Sequence, residues 1–222
     1  MTKPMTTADK MKQRAQHLGA ATLHEAAGRI GALPSAIKPV NPRFRVCGPA
    51  FTVHGPAYDN LWIHRAIYDA DPGDVLVVST SGGIEAGYWG EILSEAAIAR
   101  GLGGLVIEGG VRDVEVLYGQ DFPVFSHGVC LRGTSKDFGG TGWLNAPIRI
   151  GNVTINAGDV VAGDVDGVVV LPSAAAPTIF DAAERRLKDE EEKIKEIRAG
   201  AQTIDLYSLG AADDSARWLR RR

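Results

Sequence analysis

The chain is expected to fold as one mixed α/β domain with a long C-terminal helix, on three observations. Short apolar runs of strand length, Val75-Leu76-Val77-Val78 and Leu105-Val106-Ile107, alternate with segments of helical periodicity. Residues 148–171 then switch to a β pattern cut by tight turns. After them comes a heavily charged stretch, 174–198, that stops just before Gly200, the residue type that most often closes a helix. The whole chain, 1–222, reads as a single domain with 174–200 a helical arm and 210–222 a tail.

Each element has its own signal. Residues 7–30 read as one helix, with Leu18, Ala21, Leu23, Ala26 and Ala27 forming an apolar stripe. Residues 45–53 look like a strand broken by Gly48-Pro49, and 61–69 is helical. Pro72-Gly73 leads into a buried strand at 74–79. The small-residue stretch 80–88 reads as a loop, and 89–100 as a helix. Strand 105–107, a short helix at 114–119 and strand 122–125 follow. Gly151-Asn152 between two alternating runs is a hairpin signal.

Composition narrows the function. With 45% apolar and 23% charged residues the chain has an ordinary globular balance. A formal net charge of −3 argues against a general nucleic-acid partner, which needs a basic face to displace phosphate counterions. The basic residues near 217–222 are the one local exception. The first 16 residues lack the apolar core of a secretory signal, and no apolar run approaches the roughly 20 residues needed to cross a bilayer. A cytoplasmic protein with no membrane partner is the expectation. Cys47 and Cys130 sit in apolar contexts without metal-ligand spacing and read as small buried residues.

The segment from Gly90 to Asp113 carries the most chemistry. Glu91 opens a helix, and a turn and an apolar strand separate that helix from Arg112-Asp113. Parallel strand order would bring both ends of this unit together, beyond the carboxyl ends of the strands where α/β sheets collect ligands. Asp113 then offers a hard anionic oxygen to Mg²⁺ or Mn²⁺, and Glu91 assists directly or through water. Arg112 presents a planar fork to a carboxylate or to a carbonyl oxygen gaining charge. The amides of Ile92 and Leu93, following Gly90, are unpaired helix-start donors for a carboxylate. Together these groups would stabilise an enolate. The plainer alternative is that Asp113 caps its own helix and pairs with Arg112 at the surface.

Other residues are weaker candidates. His24-Glu25 reads as packing or solvated, with lining of a substrate mouth as the alternative. His64 and His127 have no partners at metal spacing and read as structural. Trp89 reads as core in preference to pocket wall. Arg132, Gly133, Thr134 and Lys136 read as a surface loop, with a contact to a distal substrate carboxylate as the alternative. Asp164 and Asp166 sit in an Asp-Val-Asp-Gly turn without the further ligands of a calcium loop.

With these residues in view, the chain resembles the class II pyruvate aldolases typified by 4-hydroxy-4-methyl-2-oxoglutarate/4-carboxy-4-hydroxy-2-oxoadipate aldolase, relatives of the regulator of ribonuclease activity A. The resemblance rests on the acid at 91, the 20 residues that follow, and Arg112-Asp113. It extends from about Ala20 through Gly73-Asp-Val-Leu-Val-Val and Asn156-Ala-Gly-Asp-Val-Val to Pro172. It implies a layered α/β/β arrangement of the swivelling type, assembled as a trimer or hexamer with the active site between subunits.

It also implies Mg²⁺- or Mn²⁺-dependent cleavage of 4-hydroxy-4-substituted 2-oxo acids to pyruvate and a second 2-oxo acid, with oxaloacetate decarboxylation alongside. On that pattern Asp113 anchors the metal, Glu91 holds its water shell, and Arg112 polarises the pyruvate carbonyl. The amides after Gly90 bind the pyruvate carboxylate. A further acid comes from the terminal helix of the adjacent subunit, and Glu190 or Glu191 matches it best.

One departure stands out: Glu91 occupies a position where these aldolases commonly carry Asp, and the added methylene moves the carboxylate outward by about one bond. The base for the 4-hydroxyl is expected to be water or hydroxide on the metal, because no side chain stands out. Regulator-type relatives typically lack the Asp of the Arg-Asp pair, so Asp113 favours an enzyme over a binding protein on the same scaffold. A methyltransferase reading finds no Gly-x-Gly loop with an acidic ribose partner.

Overall fold

The computed structural model describes residues 7–209, so the tail at 210–222 lies outside the described residues. Two compact units divide the chain after Ala183. The first opens with α1 (Thr7–Leu18) and α2 (Ala20–Ala26) where one helix was expected. Gly19 breaks the run with φ +77, and the Asp164 carboxylate accepts a hydrogen bond from the Ala20 amide at 2.8 Å. The acceptor for this helix start comes from far along the chain, so the local helical stripe carried no trace of it.

After β1 (Lys38–Pro39) comes β2 (Val46–His54), continuous through Gly48-Pro49 where a break was expected. Pairing of β2 with β3 (Val75–Ser79) begins only at Ala50, so the missing amide of Pro49 costs that ladder nothing. Helix α3 (Leu61–Asp69) links the two. Strand β3 is buried along its whole length, as a central parallel strand covered on both faces should be.

Next come β4 (Gly87–Trp89), α4 (Glu91–Ala99), β5 (Gly104–Val111), α5 (Val114–Gly119) and β6 (Val124–Val129). The unit closes with β7 (Trp143–Leu144), the β8 (Ile148–Ile150) and β9 (Val153–Ile155) hairpin about Gly151-Asn152, β10 (Val160–Asp164) and β11 (Gly167–Leu171). The main sheet runs β1-β6-β5-β3-β2-β10-β11, with β4 added to β5 and β7 to β2. Strands β2, β3, β5 and β6 are parallel, joined through α3, α4 and α5, while β10 and β11 return antiparallel.

The outermost strands approach one another: Lys38 of β1 donates to the Asp166 carbonyl at 2.5 Å in the β10–β11 turn. The expected mixed α/β class is therefore what the chain adopts, with a sheet curled nearly to closure. The Asp164 and Asp166 turn is structural, since Asp164 accepts from the Asp166 amide.

The core centres on β3 and β5, where Val75, Leu76, Val77, Leu105, Val106 and Ile107 are fully buried. Cys47 lies buried on β2, and burial pushes its thiol up to about 11. Helix α6 (Ala176–Arg198) buries Ala176, Ile179, Phe180 and Ala183 in the first unit. The second unit, from Glu184, carries the rest of α6 and α7 (Thr203–Leu206). Here i,i+4 pairs line the helix, Arg186 with Glu190 at 2.8 Å and Lys193 with Asp189 at 2.5 Å, and Gly200 at φ +103 ends it.

Candidate active site

Strand β4, read from sequence as loop and helix start, assembles the site. It pairs in parallel with β5 so that Trp89 stands opposite Val111, and the Arg112 amide donates to the Trp89 carbonyl at 2.8 Å. The residues that follow each strand are therefore neighbours: Gly90-Glu91 at the start of α4, and Arg112-Asp113 before α5. A three-residue strand with sequence Gly-Tyr-Trp gives too short a pattern to separate from a glycine-rich loop. The juxtaposition expected from parallel strand order is nonetheless the one observed.

Asp113 occupies the capping position of α5 in the left-handed region, φ 56 and ψ 34, and makes no capping hydrogen bond to that helix. Its Oδ2 instead accepts from the Glu91 amide at 3.2 Å and lies 3.7 Å from Arg112 Nε. The self-capping alternative is thus not what forms. Left-handed backbone is uncommon outside glycine, although Asp tolerates it, and such conformations gather at functional sites. Gly90 makes room: a Cβ there would stand 2.2 Å from Asp113 Oδ2 and 3.2 Å from Arg112 Cγ. The glycine is required by close approach rather than by its φ of −161.

Around this pair lies a cleft of about 210 Å³, walled by Asn60, His64, Trp89, Leu93, Thr134 and Lys136 among others. That is below the ~300–1,000 Å³ of pockets for drug-sized ligands, and suits an acid of a few carbons. Ile92 and Leu93 line it, ahead of the first intrahelical bond that returns to Gly90, from Ser94 at 3.1 Å. Glu91 contributes its backbone amide, while its side chain is exposed and is not among the residues lining the cleft. Trp89 is both core and wall, 1% exposed, with Nε1 donating to Ser94 Oγ at 2.6 Å.

Two groups reach the cleft that the sequence reading placed elsewhere. The first is the loop after β6: Gly133, Thr134 and Lys136 line the cleft, while Arg132 pairs with Glu85 at 3.8 Å. Buried Asp59 holds this loop, accepting from Leu61 N at 2.8 Å, Ser135 Oγ at 3.0 Å and Asp137 N at 2.5 Å. The second is His64 on α3, read as structural but lining the cleft. Its pKa is lowered by burial and then by the nearby Lys136 ammonium, partly opposed by Asp59, so the imidazole is neutral at pH 7. Asn60, one turn earlier, donates Nδ2 to the Tyr88 carbonyl at 3.0 Å and leaves Oδ1 buried without a partner.

Other candidates lie apart from this wall. His24 Nδ1 contacts the Ile30 carbonyl at 3.1 Å, and Glu25 pairs with Arg29. His127 lines a separate groove with Lys38 and Tyr118. On α6, Glu190 is paired with Arg186 and Glu191 is exposed.

The donor set bears on whether a divalent ion fits. Among the described residues no group of three or more His, Cys, Asp or Glu side chains could hold a metal. Asp113 alone faces the cleft as a carboxylate, with Oδ1 free of hydrogen bonds among the described residues. One carboxylate suits Mg²⁺, which keeps several waters and takes one or two protein carboxylates, and does not suit a structural zinc site.

Comparison with known proteins identifies the family. The Aldolase/RraA family, described as RraA-like, matches residues 8–170. A Halalkalibacterium halodurans protein, provisionally named 4-hydroxy-4-methyl-2-oxoglutarate aldolase, is 34% identical over 175 residues, 79% of this chain and 82% of its own. A Hahella chejuensis protein with the same provisional name is 33% identical over 147 residues, 64% of this chain and 88% of its own. Among solved structures, Streptomyces coelicolor RraAS2 superposes with a TM-score of 0.72 at 26% identity, covering 88% of this chain and all of that one. That protein is described as an unusual member of the RNase ES inhibitor RraA family. By extent of match and by identity to these relatives, the chain belongs to the Aldolase/RraA family.

Proposed function

We propose that this protein is a divalent-metal-dependent lyase that cleaves 4-hydroxy-4-substituted 2-oxo acids to pyruvate and a second 2-oxo acid, and also decarboxylates oxaloacetate. The observation that carries the reading is the convergence of Arg112, a left-handed Asp113 and the α4 start in one small cleft. The provisional names of the Halalkalibacterium and Hahella relatives support it.

Both reactions break a C–C bond beside a carbonyl and leave an enolate, whose charge is the main cost. Arg112 would orient the C2 carbonyl and accept its developing charge. The amides of Ile92 and Leu93 would hold the carboxylate at C1. Asp113, kept in place by the Glu91 amide and by the space at Gly90, would hold Mg²⁺ or Mn²⁺. Bound there, the ion supplies Lewis-acid stabilisation of negative oxygen. The Glu91 carboxylate would act through water, and Glu190 or Glu191 of an adjacent subunit would complete the site in a trimer or hexamer. Lys136, which also lines the cleft, suits a second carboxylate on the substrate.

The test is pyruvate release, followed with a coupled dehydrogenase, from oxaloacetate and from 4-hydroxy-4-methyl-2-oxoglutarate with and without Mg²⁺. Metal-stimulated release from either supports the lyase. No release from both would favour the alternative suggested by the RNase-inhibitor name of the Streptomyces relative, a binding protein on the same scaffold.

A further inference from the structure

Retro-aldol cleavage needs a base that decarboxylation does not. The proton on the C4 hydroxyl must leave as the C3–C4 bond breaks, whereas oxaloacetate has no such proton. Five side chains lining the cleft are titratable: His64, Tyr88, Arg112, Asp113 and Lys136. Arginine and lysine side chains are donors only. Asp113 is held by the Glu91 amide and lies beside Arg112. Tyr88 is committed at both ends, its hydroxyl accepting from Tyr58 N at 2.7 Å and donating to the Gly83 carbonyl at 2.5 Å. His64 remains, half-buried, with no hydrogen bond to its ring among the described residues.

Resting on the aldolase reading above, we propose that His64, in place of the metal-bound water or hydroxide expected from sequence, is the general base for the substrate's C4 hydroxyl. A free ring nitrogen takes the hydroxyl proton, and the O–H electron pair forms the C4 carbonyl of the departing 2-oxo acid. The C3–C4 pair moves onto the C2 oxygen as the enolate beside Arg112. The imidazolium then gives its proton to solvent, and C3 takes one from water to complete pyruvate.

The surroundings suit this role. Burial and then the Lys136 ammonium disfavour imidazolium, and Asp59 opposes them only in part. The lone pair is therefore available at neutral pH. Asn60, just before that helix, donates its amide to the Tyr88 carbonyl and keeps its Oδ1 buried. A free imidazole acceptor with Lys136 close by suits a ligand carbon bearing a hydroxyl donor and a carboxylate. A 4-hydroxy-4-carboxy substrate has both, which singles out the aldol substrates and leaves oxaloacetate indifferent to the base.

The experiment compares both reactions in wild type and in His64→Gln and His64→Asn, with saturating Mg²⁺. The expected result is a fall of about 10²–10⁴-fold in kcat for cleavage of 4-hydroxy-4-methyl-2-oxoglutarate, the usual contribution of a positioned base. Oxaloacetate decarboxylation should fall less than tenfold, which also reports that the variants are folded. In wild type, kcat/KM for the aldol substrate should drop on the acid side as His64 protonates, with no such limb for oxaloacetate. Parallel loss of both activities, or an aldol rate near wild type in either variant, would overturn the assignment while leaving the lyase reading in place. Absence of both activities in wild type would overturn the lyase reading, and this inference with it.

Discussion

The cleft and a larger groove lie on either side of one peptide unit. Asp113 faces the cleft of about 210 Å³, and the next residue, Val114, lines a groove of about 490 Å³ together with Val40, Tyr118 and Val129. The groove is larger and mostly apolar. The cleft is smaller but holds the free carboxylate oxygen, the guanidinium and the neutral imidazole. The contrast teaches that size alone does not mark where chemistry happens. Polar groups held short of their hydrogen-bonding capacity do, because keeping them so costs stability that a ligand can return.

The sharpest way to break the comparison is to remove the carboxylate. Asp113→Ala is expected to abolish metal-stimulated pyruvate release and the rise in Tm expected of wild type with Mg²⁺ and pyruvate. Tyr118→Ala in the groove should leave that rise intact. A retained Mg²⁺-dependent shift in Asp113→Ala would move the metal out of the cleft.

Arg112→Ala is expected to lower kcat by about 10²–10³-fold, the usual cost of one oxyanion donor, roughly 3–4 kcal/mol. Steady-state kinetics near wild type would discard its role.

The core offers a control that has nothing to do with ligand. Cys47 has its thiol pKa raised from 9.0 to about 11 by burial. The folded state therefore keeps a proton that the unfolded chain releases above pH 9.0, so stability is fully present below that pH and declines up to about pH 11. At 1.36 kcal/mol per unit the decline approaches ~3 kcal/mol. Denaturant titrations of Cys47→Ala across this range should show a shallower loss than wild type, and an identical slope would refute the assignment.

A smaller effect is expected at Gly90. A Cβ only 2.2 Å from Asp113 Oδ2 must displace that carboxylate, so Gly90→Ala should weaken activation by Mg²⁺ about tenfold with little change in Tm. An unaltered Mg²⁺ titration would mean that the carboxylate does not need its present position.

Much of this was legible in sequence because it is local or repeats along the chain. The apolar runs at 75–78 and 105–107, the Gly151-Asn152 hairpin and helix α3 stand where their patterns put them. The closeness of Gly90-Glu91 to Arg112-Asp113 was expected from parallel order of the strands at 74–79 and 105–107, although β4, absent from that expectation, is what delivers it. What escaped depends on partners distant in the chain. Gly19 splits the first helix with Asp164 from β10 beneath it, and buried Asp59 draws the 133–137 loop to the start of α3. His64 looked ordinary for that reason: nothing near it in sequence announces Lys136, Arg112 or the cleft they share.

Exchange of the pyruvate methyl protons in D₂O, followed by NMR with Mg²⁺ present, asks directly whether this cleft forms an enolate from pyruvate. Wild type should catalyse the exchange, and Arg112→Ala and Asp113→Ala should not. A wild-type protein that leaves the methyl signal unchanged, or an Arg112→Ala variant that exchanges it as fast as wild type, would contradict the assignment of the site.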